Sequence, residues 1–107
     1  MSIDSKSEET FKIMLVDDDR FIMNLSQTQM KNMLKKYNVE RYEILTAMSG
    51  EEAIKVYEAN SSVKLISMDF QMPPGISGPE TAKKIREFER ERQIPPTVIV
   101  GVTGFSN

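Results

Sequence analysis

Acidic residues stand directly after two apolar runs in this chain of 107 residues. Asp17, Asp18 and Asp19 follow the first run, Asp69 follows the second, and a third run ends on Thr103. Carboxylates brought close together raise one another's pKa values, and a divalent cation relieves that repulsion. A carboxylate such as Asp69 can also attack phosphorus to give an aspartyl phosphate, with the Thr103 hydroxyl donating to a phosphoryl oxygen. The pattern therefore points to metal-assisted phosphoryl chemistry on a carboxylate.

Composition excludes several other kinds of site. The chain has no Cys and no His, so thiolate chemistry, Cys-rich zinc sites and phosphohistidine are all excluded. An oxygen-only ligand set favours Mg²⁺ or Ca²⁺ over zinc. The net charge of −2 offers no basic footprint for nucleic acid. No apolar stretch approaches ~20 residues and no signal peptide is present, so we expect a cytoplasmic protein that does not enter a membrane.

The elements that must position these residues can be predicted from hydrophobic periodicity. Strands are predicted at residues 11–16, 42–47, 63–68 and 97–102, and helices at 20–37, 50–60 and 79–92. Residues 1–10 are polar and aperiodic, which predicts a mobile tail before a single domain at 11–107. Asp18 or Asp19 can cap the first helix, and residues 49–52 read as a capping box for the second.

The alternation of strands and helices predicts an α/β fold with a parallel, doubly wound, flavodoxin-like sheet. In the strand order 2-1-3-4, strands one and three are neighbours at the topological switch point, where open sheets of this kind bind ligands. The carboxyl ends of strands one, three and four carry Asp17 and Asp18, Asp69, and Thr103 respectively. Each residue alone also has an ordinary explanation as a helix cap or a strand end. Their conjunction at one sheet edge favours a site.

These residues resemble the motifs of response-regulator receiver domains of two-component phosphorelays. Asp17 and Asp18 resemble the family's acidic pair, and Asp69 with Met72 and Pro73 resembles its phosphoacceptor motif. Thr103 followed by Gly resembles its hydroxyl-bearing switch position. The resemblance extends from residue 11 to the end of the chain.

The resemblance implies a role for each position. Asp69 would accept a phosphoryl group from the phosphohistidine of a histidine kinase or His phosphotransfer protein. Asp18 and Asp69 would ligate Mg²⁺ with the backbone carbonyl of Gln71, and Asp17 would act mainly through water. Thr103 would hydrogen-bond the phosphoryl group and move with it. The protein would then be a signalling switch rather than an enzyme, phosphorylating itself from a phosphodonor at most.

Two departures from the family pattern matter. The loop at residues 73–78 is one residue longer than usual, and Ser77 stands where the family has Asp. The family's pattern continues beyond Asn107 with a helix, a fifth strand and a last helix, and the fifth strand follows a Lys that contacts the phosphoryl group. Lys83 and Lys84 lie on the third predicted helix and cannot take that place. We therefore expect the domain to be C-terminally incomplete.

Three alternatives follow. The chain could be a receiver-like interaction scaffold without phosphotransfer, because the family's Lys is missing. It could form a homodimer or exchange segments through its apolar fourth strand, because uncovered edge strands pair with other chains. A hydrolase acting through aspartyl phosphate would need a general acid two residues after the nucleophile, and Gln71 cannot serve.

Overall fold

The computed structural model describes residues 9–69 and 75–102 of the chain. Within them the elements alternate strictly between strand and helix. They are β1 (Phe11–Val16), α1 (Arg20–Lys36), β2 (Tyr42–Ala47), α2 (Gly50–Ala59), β3 (Leu65–Asp69), α3 (Gly78–Arg92) and β4 (Val98–Val102). In the part of the chain so described, no helix combines the length and the apolar character that crossing a membrane requires.

The four strands form one parallel sheet in the order β2-β1-β3-β4, which confirms the predicted fold and strand order. Val16 of β1 lies opposite Met68 of β3, and Asp69 lies opposite Val102 of β4. All the strands point the same way. Residues that follow β1, β3 and β4 are therefore delivered to one edge of the sheet.

Helices pack on both faces of the sheet, as covered parallel strands require. On one face, Met14, Val16, Ile66 and Met68 of the sheet pack with residues of α2 and α3. On the other face, residues of β1 pack with α1: the buried members are Ile13, Leu15, Met23 and Leu34. The central strand β1 thus has a buried core on each side.

The helix starts are fixed by side-chain caps. Asp19 caps α1 by accepting the backbone N–H of Ile22 at 3.1 Å. Ser49 caps α2 by accepting the N–H of Glu52 at 3.0 Å, but Glu52 reaches back to the N–H of Met48 and not to that of Ser49. The reciprocal capping box predicted there is therefore only half present. A complete capping box occurs instead at the start of α3, between Ser77 and Glu80.

Two predicted strand starts are wrong for the same reason. In each case the backbone N–H of the expected first residue donates to an acceptor outside the sheet. Residue 63 was expected to begin the third strand, but its N–H donates to the carbonyl of Asn60 at 3.0 Å in a turn, and the strand begins at Leu65. Thr97 was expected to begin the fourth. Its N–H donates to the Glu89 carboxylate at 2.7 Å, so the ladder starts at Val98.

A buried carboxylate joins α2, α3 and the start of β4. Glu89 is 3% exposed, and its Oε2 accepts from the Tyr57 hydroxyl at 2.8 Å as well as from Thr97. Arg86 donates to Glu89 Oε1 at 2.8 Å and also to the Thr97 carbonyl at 2.8 Å. This network, the Glu89 bridge, replaces the water that a buried charge would otherwise need. It lies at the amino end of β4.

Candidate functional site

The candidate site lies at the carboxyl edge of the sheet, where β1 and β3 end side by side. Asp17 is the first residue after β1, and Asp69 is the last residue of β3. Val16 and Met68 lie opposite each other in adjacent strands. The residues that follow them, Asp17 and Asp69, therefore lie side by side at the edge of the sheet. Strands in a sheet are about 4.8 Å apart, so side chains delivered in this way come within contact range.

The carboxylates of Asp17, Asp18 and Asp69 form one acidic group at this edge. One oxygen from each lies within 4.8 Å of the others, although 52 residues separate Asp17 from Asp69. Asp17 and Asp69 are partly buried and Asp18 is exposed. The group is therefore anchored in the protein on one side and open to solvent on the other.

Asp19 has a different place from its two neighbours. Its carboxylate caps α1 through the N–H of Ile22, while its own N–H donates to Asp17 Oδ1 at 2.9 Å. The ordinary explanation of an acidic helix cap thus holds for Asp19. It does not account for the three carboxylates that converge beside it.

The electrostatic cost of the group is visible at Asp17. Burial is the largest influence and raises the pKa of Asp17. The hydrogen bond from Asp19 lowers this pKa, and the negative charges of Asp69, Asp18 and Asp19 raise it again. The net pKa lies above the ordinary value of 3.8. A nearby cation would lower the pKa of Asp17, because it favours the ionised carboxylate.

A small pocket of about 60 Å³ opens beside the carboxylates. Its wall includes Asp17 and Asp69, the end of β4 at Val102, and two hydroxyl residues, Ser26 of α1 and Ser67 of β3. Neither serine was predicted from the sequence. Ser67 was detectable in principle, because it interrupts an otherwise apolar strand two residues before Asp69. Ser26 carried no signal of this kind.

Two further residues named from the sequence, Gln71 and Thr103, lie outside the described residues. Gln71 was expected to offer its backbone carbonyl to the metal, and Thr103 was expected to contact a phosphoryl group. Val102, the residue before Thr103, lies opposite Asp69 in the β3–β4 ladder and lines the pocket.

The residues present suit a hard divalent cation. All three donors are carboxylates, and Mg²⁺ prefers oxygen ligands from one or two carboxylates with water and phosphoryl oxygens. Burial, and after it the negative charges of the neighbouring aspartates, raises the pKa of Asp17, and a bound cation would favour its ionised form. The three carboxylates are therefore suited to hold Mg²⁺ together with water or phosphoryl oxygens on the side that is open to solvent.

A parallel doubly wound sheet with an acidic group at its switch point belongs to the class of open α/β domains that bind ligands at the carboxyl edge of the sheet. Within that class, the sequence profile of the response regulator receiver domain family matches residues 13–107. The chain belongs to this family. The resemblance inferred from the motifs is thereby confirmed.

Individual relatives agree with the family assignment. The chain is 37% identical over 78 residues to the alkaline phosphatase synthesis transcriptional regulatory protein PhoP of Bacillus subtilis, covering 71% of this chain and 28% of that protein. It is 31% identical over 88 residues to the chemotaxis protein CheY1 of Helicobacter pylori strain 26695, covering 82% of this chain and 65% of that protein.

Among solved structures, the N-terminal domain of a response regulator/sensory box/GGDEF protein from Carboxydothermus hydrogenoformans is similar, with 26% identity and a TM-score of 0.65. The match covers 90% of this chain and 66% of that one. The chain thus spans between about a quarter and two thirds of these three relatives.

Membership of the family indicates a general function. Receiver domains belong to two-component systems and serve phosphorylation-based signalling with histidine kinases or phosphotransfer proteins. They are signalling domains rather than classical enzymes.

Proposed function

We propose that this chain accepts a phosphoryl group on Asp69 from the phosphohistidine of a histidine kinase or His phosphotransfer protein. The observation that carries the proposal is the convergence of Asp17, Asp18 and Asp69 within 4.8 Å at the switch point of a receiver fold. Asp69 is the member of the group that ends a strand, so the sheet itself fixes its backbone. This makes it the best-positioned nucleophile of the three.

The proposed step is a displacement at phosphorus. A carboxylate oxygen of Asp69 forms a bond to phosphorus as the P–N bond of the phosphohistidine breaks. The electron pair of that bond returns to the imidazole nitrogen, which then takes up a proton. The product on this chain is an aspartyl phosphate: one P–N bond is broken, one P–O bond is formed, and the proton taken up by the imidazole comes from solvent water.

Asp17, Asp18 and Asp69 would hold Mg²⁺, with the carbonyl of Gln71. When bound, Mg²⁺ neutralises negative charge on the carboxylates and on the transferred group. The chain's own contribution is to orient Asp69 and to keep Asp17 fixed, since the N–H of Asp19 holds Asp17 Oδ1 in place. Thr103 would donate its hydroxyl to a phosphoryl oxygen and so couple phosphorylation to the segment after β4.

The consequence of phosphorylation would be a change in a protein-interaction surface. Phosphorylation replaces the single negative charge of the Asp69 carboxylate by about −1.5 to −2 charges on the phosphoryl group, beside carboxylates that already repel one another. The state that best accommodates this charge is favoured, and a partner that distinguishes the two states can read the difference.

The test is intact mass spectrometry of the chain after incubation with Mg²⁺ and phosphoramidate. We expect one added phosphoryl group on the wild-type chain and none on Asp69→Asn. Omission of Mg²⁺ should remove most of the addition. A folded wild-type chain that gains no phosphoryl group, or an Asp69→Asn chain that gains one, would contradict the proposal.

A second function is favoured by one observation. Among the residues that line the pocket in the described part of the chain, none is a lysine or arginine. A receiver fold without a cation there would be suited to act as an interaction scaffold that is not phosphorylated. The two functions differ in their response to Mg²⁺ with beryllofluoride: a phosphorylatable site should be stabilised by a ligand that binds the native state, and a scaffold should not.

The exposed edge of the sheet also supports a partner. β4 is an outer strand, and Val98, Val100 and Val102 are 58%, 47% and 46% exposed on it. Apolar edge strands tend to pair with other chains. We therefore propose self-association, as a homodimer or by segment exchange, through β4.

A further inference from the structure

The start of α2 lies directly against the segment that leads into α3. Gly50, the first residue of α2, is buried, and a Cβ added to it would lie 2.7 Å from Cγ1 of Ile76. The same Cβ would collide with the hydroxyl of Thr81, which is itself buried in α3. A residue without a side chain is therefore what allows the two segments to approach so closely.

The next residue, Glu51, holds this segment by its backbone. Oε2 of Glu51 accepts the N–H of Ile76 at 3.3 Å. Oε1 lies against Gly75, where an added Cβ would be only 2.6 Å away. The φ of Gly75 is not positive, so its backbone would accept a side chain and only the Glu51 carboxylate stands in the way. We call the contact of Glu51 with Gly75 and Ile76 the Glu51 clasp.

The stability of α2 does not account for the clasp. Glu51 and Glu52 both lie in the first turn, where acidic residues interact favourably with the helix dipole. Glu52 accepts the N–H of Met48, just before its own helix, at 2.8 Å. Glu51 is exposed and would serve the dipole in any orientation, yet it contacts a residue 25 positions further along the chain. The direction of this side chain therefore calls for another explanation.

The clasp lies at the far end of the chain segment that leaves the carboxylate site. Asp69 ends β3, and Gly75 is the next described residue. The chain is thus held by the sheet before residues 70–74 and by the clasp after them. Gln71, whose carbonyl is proposed as a Mg²⁺ ligand, belongs to that interval. The loop is also one residue longer than the family pattern, and a longer loop costs more entropy to order.

We propose that Glu51 is a positioning residue for the Mg²⁺ site. It touches neither the metal nor the phosphoryl group, and acts by restraining the segment that carries Gln71. When only a fraction of molecules has the binding arrangement, the apparent Kd is the intrinsic Kd divided by that fraction. Loss of the clasp lowers the fraction and weakens Mg²⁺ binding. The inference rests on the proposed function for the assignment of Asp69 and Gln71 to the metal.

Two substitutions of Glu51 separate its hydrogen bond from its charge. Glu51→Ala and Glu51→Gln lose the same charge, but only the amide keeps an oxygen that can accept the N–H of Ile76. The Kd of Mg²⁺, measured by titration calorimetry, should rise about fivefold in Glu51→Ala, the equivalent of one net hydrogen bond. Glu51→Gln should restore most of the affinity. Glu58→Ala removes another exposed carboxylate of α2 and should leave the Kd close to that of wild type.

Gly75→Ala tests the clasp from its other side. The new Cβ would displace Oε1 of Glu51, which is the far end of a flexible side chain, so the clasp opens while the fold remains. This variant should weaken Mg²⁺ binding as Glu51→Ala does. The double variant should be no weaker than either single one, because both changes remove the same contact. A double variant whose effect is the product of the two single effects would overturn the clasp.

The same series separates positioning from a structural role and from phosphotransfer. A merely structural contact would lower the Tm of the metal-free chain and leave the Kd of Mg²⁺ unchanged. A wild-type chain that binds Mg²⁺ but is never labelled on Asp69 would refute the proposed function, while a weaker Kd in Glu51→Ala would still support the clasp. Equal Kd values in wild type and Glu51→Ala would overturn the inference. So would a Glu51→Gln chain as weak as Glu51→Ala, or a wild-type chain that binds no Mg²⁺.

Discussion

Asp17 and Asp69, 52 residues apart in the chain, meet because Val16 and Met68 are opposite each other in adjacent parallel strands. The register between β1 and β3 thus determines the site. A slip of one residue would send one of the two carboxylates to the opposite face of the sheet. The positions of the two carboxylates are consequently fixed by the buried pairing of β1 with β3.

The burial of Asp17 and the repulsion from its neighbouring carboxylates predict that Asp17→Asn stabilises the protein when Mg²⁺ is absent. The pKa of Asp17 is raised in the folded state, so ionisation at neutral pH opposes folding, and an uncharged amide removes that cost. The amide oxygen can still accept the N–H of Asp19. We expect a rise in Tm of about 2–4 °C at neutral pH, corresponding to ~0.5 kcal/mol in a small domain.

The dependence of stability on pH and on Mg²⁺ provides the control for Asp17→Asn. Below the ordinary pKa of 3.8 the carboxylate is protonated in both states, so the advantage of Asp17→Asn should disappear. With Mg²⁺ present, wild type should gain more stability than the variant. A variant that is less stable than wild type at neutral pH without metal would refute this account of the carboxylates.

The Glu89 bridge predicts a large loss of stability in Glu89→Gln. The carboxylate accepts three donors through its two oxygens, and an amide would turn an NH₂ group toward at least one of them. Breaking a buried charged network of this kind costs about 3–5 kcal/mol. Tyr57→Phe removes one of the three donors and should cost less, about 1.5–3 kcal/mol. Urea denaturation of the two variants measures the difference, and equal losses would argue against the bridge.

The bridge also predicts how stability depends on pH. Burial raises the pKa of Glu89, but the hydrogen bonds from Thr97, Arg86 and Tyr57 outweigh it, so the net pKa lies below 4.5. Glu89 therefore contributes stability above about pH 4.5, and this contribution is lost as pH falls through the folded-state pKa. Wild type should lose stability on acidification, and Glu89→Gln should lose less over the same range. Parallel curves for both proteins would contradict this.

Tyr57 predicts how the stability of the protein changes at alkaline pH. Burial, with the Glu89 hydrogen bond and charge, raises the pKa of Tyr57 far above its ordinary value of 10.0. Ionisation is thus disfavoured in the folded state, and stability should fall as pH rises beyond 10. Tyr57→Phe should remove this component, which makes it the matched control for the alkaline limb of the same pH series.

The exposed valines of β4 predict that Val100→Lys reduces self-association. A charge in the middle of an edge strand is disfavoured when a second chain covers it, whereas in the monomer Val100 is 47% exposed and tolerates the change. Sedimentation velocity of wild type should show a species larger than the monomer at high concentration, and the variant should shift toward monomer. A wild-type chain that is monomeric throughout would contradict pairing through β4.

Sequence periodicity predicted the order of elements and strands because buried parallel strands are continuously apolar and their connections are constrained. It was less informative about α1. Phe21, Leu25 and Met33 of this helix are exposed, and Met23 and Leu34 are its buried residues. The apolar residues of this helix lie on several of its faces, so their spacing alone does not indicate which face packs against β1.

The acidic group was predictable because strand ends of a parallel sheet share one edge. The Glu89 bridge was not, because nothing in the sequence distinguishes Glu89 from the partly buried Glu87 and the exposed Glu91 on the same helix. Its burial depends on Tyr57 and Thr97, which only the tertiary fold brings to it. The shifted start of β4 has the same origin.

The central claim is that Asp69 itself becomes phosphorylated, and borohydride trapping tests it most directly. The chain is incubated with Mg²⁺ and phosphoramidate, reduced with borohydride and digested, and the peptides are sequenced by mass spectrometry. An aspartyl phosphate is reduced to homoserine, so the account predicts homoserine at position 69 and aspartate at positions 17 and 18. Homoserine at another carboxylate, or unmodified Asp69 in a folded chain, would contradict it.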